Sequence, residues 1–498
     1  MKRRKFLQTG GALGLGGLLR ANPATAASTA GTDPRRGFSS SFEGVAEHYG
    51  PTTLRFDRPL PAAVTGTLYR NGPAGMVHGE MRYRHWFDGD GMVHAWRLHG
   101  DTAVHSARMV ETRRLRAERD AGRLLWPGFA TDVADTRDVV SADSVNAGNI
   151  SVLPLAGELL ALWEAGSPWS LDPHDLRTRS RKVFSPDTDG LSFSAHPRIE
   201  PDGRIWNFGY LSGSGKLMLY ELDKLGRLRR AAAIDAPQAD MVHDFVITER
   251  HLGFVLMPLM SEPDLPAGTA FMNRLRWQAD APVIVLLIDK DTWQISHRFE
   301  LPSFFAFHFG NAWVDGDTVR ITVARSADFD ALMRRIGQAT RGERGDELAP
   351  QALSELVLDT RGGGARLQAL PLSGAEFPVT DPRFAGRPSR HTFLLGGSDS
   401  RPDGLFGFNS VMRFDRQSGR TESFDYGADV LAEEHVFVPA PGAAEGEGWL
   451  IGTAYDWRRS RTRLSVFETR SLGDGPIASA ELPYGLPLGL HGRWQGRT

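Results

Sequence analysis

The sequence contains no cysteine, which excludes disulfides, thiolate metal ligands and a cysteine nucleophile. Any metal must therefore be held by histidine or carboxylate side chains. An excess of basic residues is also missing, because 58 lysines and arginines stand against 60 aspartates and glutamates, for a formal net charge of -2. Without surplus positive charge to neutralise phosphates, nucleic acid is not an expected partner.

Long apolar runs are scarce as well. No segment beyond the N-terminus approaches the roughly 18 apolar residues that span a bilayer. The sequence is instead rich in glycine and proline, with 55 and 30 residues among 498, which is typical of many tight turns rather than long helices. Since 41% of the residues are hydrophobic, the chain can bury a large core.

The N-terminus has the pattern of an export signal. A basic run over residues 1–5 precedes a glycine-diluted apolar segment, and Ala-Thr-Ala at 24–26 has the small-x-small pattern of a cleavage site. The arginine pair at 3–4, followed by Phe6 and Leu7, is similar to the twin-arginine signals of bacteria. An ordinary basic leader is the alternative. We expect a signal peptide over residues 1–27, a polar leader over 28–45 and a soluble mature protein in the periplasm.

Beyond the leader, short apolar runs alternate with Asp, Gly and Pro turns, which predicts an all-β chain with hairpins. An acid after an apolar pair recurs at Asp223, Asp289, Asp415 and Glu468, at intervals of 66, 126 and 53 residues. Propeller blades recur about every 40–50 residues, and longer loops stretch that period, so the middle interval could hold two units. Roughly 450 mature residues then allow about seven blades. Unrelated hairpins in a β-sandwich remain an alternative.

Two stretches, residues 258–278 and 327–356, break this pattern and are expected to be helical or irregular insertions. The first mixes Leu, Met, Phe and Trp with Arg. It is interpreted either as a capping loop packed on the blades or as an apolar entrance that collects a lipophilic substrate from a membrane or carrier.

Four of the fifteen histidines lie beside strand-like apolar runs with small or turn residues close by. They are His196, His243, His308 and His491. Their separations of 47, 65 and 183 residues are too long for a zinc-finger pattern, but a propeller axis can gather one ligand from each of several blades. Imidazole nitrogens suit iron, zinc or copper, and a set without thiolate leaves positions open for small ligands such as dioxygen. Four unrelated histidines are the alternative.

Seven segments add a more specific signal. In chain order they are LYRNGP at 68–73, HWFDGDGMVH at 85–94, LALWEAG at 160–166, SAHP at 194–197, MVHDF at 241–245, FHFGNA at 307–312 and PLGLHG at 487–492. Together they resemble the carotenoid cleavage oxygenases, in order, from about residue 68 to residue 494. One such segment would be a weak signal, whereas seven in the same order are highly specific.

The resemblance implies a single β-propeller catalytic domain over residues 46–498, with seven blades and with helical or loop insertions forming a cap over an axial metal site. It implies one ferrous ion, Fe(2+), per chain, held by the four histidines at 196, 243, 308 and 491. It also implies three glutamates that accept the other ring N–H of three ligands and so fix each ring.

Glu164, Glu376 and Glu434 match the places of these glutamates. The first two are flanked by apolar residues and would be costly to bury without a partner, which favours a hydrogen-bonding role. Glu434 departs from the family pattern, because His435 follows it where the family usually has proline. Glu433 could compete for its role.

The implied reaction inserts both atoms of dioxygen at a C=C double bond of a lipophilic conjugated olefin and gives two carbonyl products. No protein acid or base need act, so no catalytic residue beyond the metal site is named. Relatives that cleave phenolic stilbenes place a Tyr and a Lys soon after the Asp-Gly-Asp-Gly segment, but residues 104–114 contain neither. His105 or an arginine could substitute. The guanidinium of arginine, however, is too weak an acid to lose its proton, so it cannot act as a proton acceptor.

These features favour a carotenoid or apocarotenoid over a stilbenoid or phenylpropanoid. A non-oxidative isomerase relative and a non-catalytic propeller that binds a lipophilic ligand are the other hypotheses. The expected partners are the olefin, dioxygen and the twin-arginine export machinery, with peripheral membrane contact and without nucleic acid.

Overall fold

The computed structural model describes residues 38–45, 47–343, 345, 350–400 and 405–497. The predicted signal peptide over residues 1–27, with its twin-arginine motif, lies outside the described residues, as does most of the predicted leader. The domain boundaries therefore remain predictions.

Seven antiparallel sheets of four or five strands form the described part of the chain. The innermost strands of neighbouring sheets contact one another around a common axis, which is the arrangement of a β-propeller. The predicted all-β, seven-bladed fold is confirmed. The predicted middle interval of 126 residues holds two units, as the repeat pattern allowed.

The strands are numbered in chain order. Each blade is described below from its innermost strand to its outermost strand. Blade 1 consists of β33 (His491–Gly496), β2 (Gly66–Gly75), β5 (Asp90–His99), β6 (Thr102–Met109) and β1 (Tyr49–Arg55). Blade 2 consists of β7 (Ser151–Leu155), β8 (Glu158–Leu162), β9 (Trp169–Leu171) and β10 (Thr178–Arg181). Blade 3 consists of β11 (Arg198–Ile199), β12 (Ile205–Tyr210), β13 (Lys216–Leu222) and β14 (Leu228–Asp235).

The remaining blades repeat this plan. Blade 4 consists of β15 (Val246–Ile247), β16 (His251–Leu256), β19 (Val283–Asp289) and β20 (Ile295–Leu301). Blade 5 consists of β21 (Phe309–Asp315), β22 (Thr318–Arg325), β23 (Ala352–Asp359) and β24 (Ala365–Ser373). Blade 6 consists of β25 (Ala375–Val379), β26 (His391–Gly396), β27 (Ser410–Asp415) and β28 (Arg420–Asp425). Blade 7 consists of β29 (Val430–Pro439), β30 (Gly448–Asp456), β31 (Arg461–Glu468) and β32 (Ala478–Glu481).

Helices and short hairpins lie between these strands. The α-helices are Arg113–Ala121 and Phe329–Thr340, and the hairpins are β3 (Val77–His78) with β4 (Met81–Arg82) and β17 (Leu259–Ser261) with β18 (Leu275–Trp277). The 3-10 helices are Ser40–Phe42, Trp86–Asp88, Ala142–Ser144, Pro186–Thr188, Met272–Arg274, Pro382–Phe384 and Thr469–Asp474. No helix among the described residues is both long and apolar enough to span a membrane.

A repeated aspartate turn explains the acid pattern of the sequence. In five blades an aspartate at or just after the end of the third strand accepts the backbone N–H two residues further on, and these are Asp172, Asp223, Asp289, Asp359 and Asp415. Such a carboxylate replaces a backbone acceptor and fixes the hairpin that leads to the fourth strand. Asp359 is the repeat unit that the sequence pattern missed within its long middle interval.

The first predicted insertion, residues 258–278, is irregular as expected, with the β17–β18 hairpin and one turn of 3-10 helix. The second contains the helix Phe329–Thr340, but its predicted end at residue 356 is wrong, because β23 already begins at Ala352. All six residues from Leu353 to Leu358 are buried, so this strand lacks the alternation by which a strand is recognised.

The first and last strands of the described residues lie together in blade 1. The last strand, β33, pairs with β2, so that His491 lies opposite Asn71 and Gly496 lies opposite Gly66. This pairing closes the ring of blades, and the same strand begins with one of the predicted metal ligands. Ring closure and ligand placement therefore depend on one segment.

Gly66 provides a test of this closure. A Cβ at Gly66 would collide with the backbone oxygen of Gln495 and the ring of Trp494, whereas a Cβ at Gly50, in β1 of the same blade, would meet no atom within 4 Å. We expect Gly66→Ala to lower the free energy of unfolding by about 1–3 kcal/mol because it forces β2 and β33 apart. Gly50→Ala should change it by less than about 0.5 kcal/mol. Urea denaturation of both variants measures the difference, and equal stability would contradict closure through this strand pair.

Candidate metal centre

The four predicted histidines come from four different blades and meet at the axis. His491 begins β33, and the other three lie one to three residues before the innermost strands of blades 3, 4 and 5. The Nε2 atom of His243 lies 3.0 Å from Nε2 of His196 and 3.3 Å from Nε2 of His308. The Nε2 atoms of His308 and His491 are 3.2 Å apart. All four ligand atoms lie within 4.8 Å of one another.

These separations fit a single metal ion. Two imidazole nitrogens bound at about 2.1 Å and at right angles lie about 3.0 Å apart, which is close to the three observed distances. The rings of His243 and His491 are the most widely separated pair, with centroids 6.4 Å apart, whereas the other centroid separations run from 4.5 Å to 5.4 Å. One pair of rings therefore faces across the centre, and the directions opposite His196 and His308 carry none of the four rings.

Burial keeps His196 in the form that binds metals. Burial, reinforced by the rings of His243, His491 and His308, lowers the pKa of His196 well below its ordinary value. A neutral imidazole offers a lone pair, whereas an imidazolium has none to give. The donor set thus suits a divalent transition-metal ion, and iron is among the ions that imidazole prefers.

The three predicted glutamates each contact one ligand ring. The Nδ1 atom of His243 lies 2.6 Å from Glu164, and that of His308 lies 2.6 Å from Glu376. In both pairs the ring N–H donates to the carboxylate, which leaves Nε2 as the free acceptor that faces the centre. His196 has no glutamate partner of this kind within the described ranges.

The structure separates the two neighbouring glutamates of blade 7. Glu434 accepts from Nδ1 of His491 at 3.1 Å and from the backbone N–H of Gly492 at 2.7 Å. Burial alone would raise the pKa of Glu434, but His491, Arg70 and the Gly492 N–H together hold it below its ordinary value. Glu433 points elsewhere, toward Arg70 and a threonine of β30, and does not contact the ring.

A cavity of about 890 Å³ opens onto the histidines from one side of the ring of blades. Aromatic side chains dominate its wall and include Trp86, Phe87, Phe129, Trp163, Phe307 and Phe377. Both insertions also contribute, with Phe271 from the first and with Leu332 and Ile336 from the helix of the second. His243, His308 and His491 line this cavity, whereas His196 does not, so the cavity reaches the centre past three of the four rings.

Two other groups do not belong to this site. His105, considered above as a substitute for a phenol-activating residue, lies inside blade 1 against His94 and Tyr484 and does not line the cavity. Burial and the nearby Arg97 lower the pKa of His105 to about 3. Its position therefore does not support His105 as a substitute for the missing phenol-activating residues.

The second group, His78, Asp90 and Glu118, contains residue types that bind metals, but it already has a buried cation and hydrogen-bond partners beside it. Nε of Arg114 lies 3.7 Å from Asp90 and 3.5 Å from Glu118, which also accepts the Tyr83 hydroxyl at 2.8 Å. Nε2 of His78 contacts Asp90 at 2.7 Å. Arg114 thus supplies the positive charge beside these carboxylates, and His78 is engaged by Asp90.

Sequence reasoning missed one residue of the site. Tyr210, the last residue of β12, lines the cavity and donates its hydroxyl to Glu164. It lies in none of the seven recognised segments and precedes His243 by 33 residues, so no local pattern connects it to the site.

Comparison with known proteins gives consistent matches. The family model described as RPE65, retinal pigment epithelial membrane protein, matches residues 45–496. The apocarotenoid-15,15'-oxygenase of Synechocystis sp. is 29% identical over 452 residues, covering 87% of this chain and 91% of that protein. The isoeugenol monooxygenase of Pseudomonas nitroreducens is 28% identical over 465 residues, covering 89% and 94%.

Solved structures agree with these sequence matches. A variant of the Synechocystis apocarotenoid oxygenase aligns with a TM-score of 0.83 at 25% identity and covers 93% of this chain and 99% of its own. The lignostilbene dioxygenase of Pseudomonas brassicacearum aligns with a TM-score of 0.81 at 27% identity, covering 91% and 97%.

Removal of one imidazole tests the metal centre. We expect the purified protein to carry one metal ion per chain and His308→Ala to retain less than about a tenth of it, since even an outer hydrogen-bonding partner is worth 10- to 100-fold in affinity. His251→Ala is the control, because His251 is equally buried in β16 but contacts Thr248 rather than the centre. Elemental analysis measures the content, and equal metal in both variants would place the ion elsewhere.

Proposed function

This chain belongs to the RPE65/carotenoid cleavage oxygenase family, and from that premise we propose that it is a non-haem iron(II) dioxygenase acting on a carotenoid or apocarotenoid. The proposed reaction cleaves one C=C double bond of the conjugated chain to two carbonyl products. That the chain is an enzyme, a dioxygenase of the carotenoid-cleavage type, follows from its named relatives.

One observation carries the proposal more than any other. Four imidazoles converge on one point, and three of them, His243, His308 and His491, line a large apolar cavity. A centre that served only to hold the fold together would have its whole surroundings closed by protein ligands. Here a substrate and a small gas molecule have access to the same side of the centre.

Ferrous iron at this centre would supply the electrons that make dioxygen reactive toward an electron-rich double bond. The protein contributes position and environment. Glu164, Glu376 and Glu434 keep three imidazole rings oriented, and the aromatic wall excludes water from the reacting carbons. Phe307 packs against both the His243 ring and Phe87, with centroids 5.1 Å and 5.8 Å away, so that a flat conjugated chain meets aromatic faces beside the centre.

The polar groups of the cavity favour a polyene over a phenolic stilbene. The described lining contains no lysine, and its one tyrosine, Tyr210, already donates its hydroxyl to Glu164. Arg114 and Arg274 also line it, but both donate to backbone carbonyl oxygens, at 2.6 Å to Asp88 and at 2.7 Å to Pro266. The described lining therefore offers a phenol neither a lysine nor a free tyrosine, whereas a hydrocarbon chain needs no polar partner.

The cavity entrance supports the peripheral membrane contact that the sequence predicts. Val139, Val140 and Leu211 line the cavity and are 49%, 70% and 67% exposed. Exposed apolar side chains around an opening can enter the headgroup region of a lipid layer, where a carotenoid substrate is dissolved.

Incubation of the iron-loaded protein with candidate substrates under labelled dioxygen tests the reaction. We expect an apocarotenal to give two carbonyl products that carry the label, and a 4-hydroxystilbene to be cleaved at least about tenfold more slowly, because the cavity offers its phenol neither a lysine nor a free tyrosine. Mass spectrometry identifies the products. Conversion without label would indicate an isomerase, and tight binding of the olefin without oxygen consumption would indicate a binding protein; either result contradicts the proposal.

We also propose that the protein is exported to the periplasm by the twin-arginine machinery, as the first 27 residues predict. Replacement of Arg3 and Arg4 by lysine keeps the positive charge of the leader and removes the paired arginines. We expect the full-length precursor to accumulate in the cytoplasm of a bacterial host, measured by fractionation and immunoblot. Unchanged processing in this variant would indicate the general secretion route instead.

A further inference from the structure

We propose that Tyr210 is a positioning residue for the metal ligand His243, acting through Glu164. Its hydroxyl donates to one carboxylate oxygen of Glu164, while the other oxygen accepts from Nδ1 of His243 at 2.6 Å. The inference rests on the proposed function, because it assigns Tyr210 a task only if the histidines hold a metal ion.

The three glutamates of the site are not held in the same way. Glu376 and Glu434 lie on the innermost strands β25 and β29, and each accepts a backbone N–H in addition to its histidine. Glu376 accepts from Phe377, and Glu434 accepts from Gly492 at 2.7 Å. The main chain of the ring itself therefore fixes these two carboxylates.

Glu164 lacks this support. It follows β8, the second strand of blade 2, and stands outside the innermost layer of strands. Within the described residues its hydrogen bonds go to two side chains, the imidazole of His243 and the hydroxyl of Tyr210. Without Tyr210, only the ring that Glu164 is meant to orient would remain to hold it.

Tyr210 is itself firmly placed. It is 4% exposed, and its backbone oxygen accepts the Ser192 hydroxyl at 2.7 Å. At the preceding residue, Gly209, a Cβ would collide with the backbone oxygen of Ser192. The backbone of β12 therefore packs directly against the backbone at Ser192. Burial and the adjacent Glu164 raise the pKa of Tyr210 well above its ordinary value, so that the hydroxyl keeps the proton it donates.

Donation by Tyr210 also fixes the direction of the Glu164 carboxylate. With one oxygen held by Tyr210, the other stays against Nδ1 of His243, so the imidazole keeps Nε2 turned toward the centre. Because Tyr210 also lines the cavity, blade 3 links the substrate wall to the orientation of one ligand.

Tyr210→Phe tests this assignment, with Tyr220→Phe as the matched control. Tyr220 is buried in the same blade and donates its hydroxyl to the Ser192 backbone oxygen, away from the centre. The iron-loaded proteins are mixed with an excess of a ferrous chelator, and the nitric oxide adduct of the iron is recorded by electron paramagnetic resonance. We expect about tenfold faster iron release and a broadened spectrum for Tyr210→Phe, in the range caused by loss of an outer partner. Tyr220→Phe should behave as the wild type.

A double-mutant cycle with Glu164→Gln checks the route of the effect. If Tyr210 acts through Glu164, adding Tyr210→Phe to Glu164→Gln changes the release rate by less than about twofold. Independent multiplication of the two effects, or wild-type release and spectrum in Tyr210→Phe, overturns the inference. Wild-type protein that holds iron but cleaves no olefin refutes the proposed function and leaves this test intact, whereas wild-type protein without iron refutes both.

Discussion

Convergence of four imidazoles on the propeller axis is the constraint on which the rest of the structure depends. A closed ring of blades brings its innermost strands to one axis, so residues that are 47, 65 and 183 positions apart in the chain lie within one coordination radius. Closure through β33 and β2 completes this geometry, because the same strand carries His491. Stability and metal binding are therefore not separable in blade 1.

This arrangement requires three buried carboxylates, whose removal from water is unfavourable. Three glutamates lie beside imidazole rings in the interior, where an unpaired charge would be strongly unfavourable. Each is satisfied by a ring N–H and by one further donor, which is a backbone N–H for Glu376 and Glu434 and a tyrosine hydroxyl for Glu164. The apolar cavity next to them has no lysine and no free tyrosine among its described lining residues, so it suits a substrate without a phenol group.

The sequence predicted the broad architecture and the members of the site, largely through seven segments that resemble one family. It named Glu434 but left Glu433 as a competitor, because adjacent residues of a strand point to opposite faces and only the register of β29 decides which one meets His491. Tyr210 could not be predicted from the sequence, because its partner, Glu164, is 46 residues earlier in the chain. The strand over Ala352–Asp359 was partly taken for an insertion, since burial on both faces removes the alternating pattern.

A crystal structure with anomalous diffraction data collected on both sides of the iron absorption edge tests the central claim most directly. We expect a single iron peak on the propeller axis, within about 2.0–2.3 Å of the Nε2 atoms of all four histidines. A peak bound to fewer of these rings, or one located elsewhere in the protein, would contradict the proposed centre.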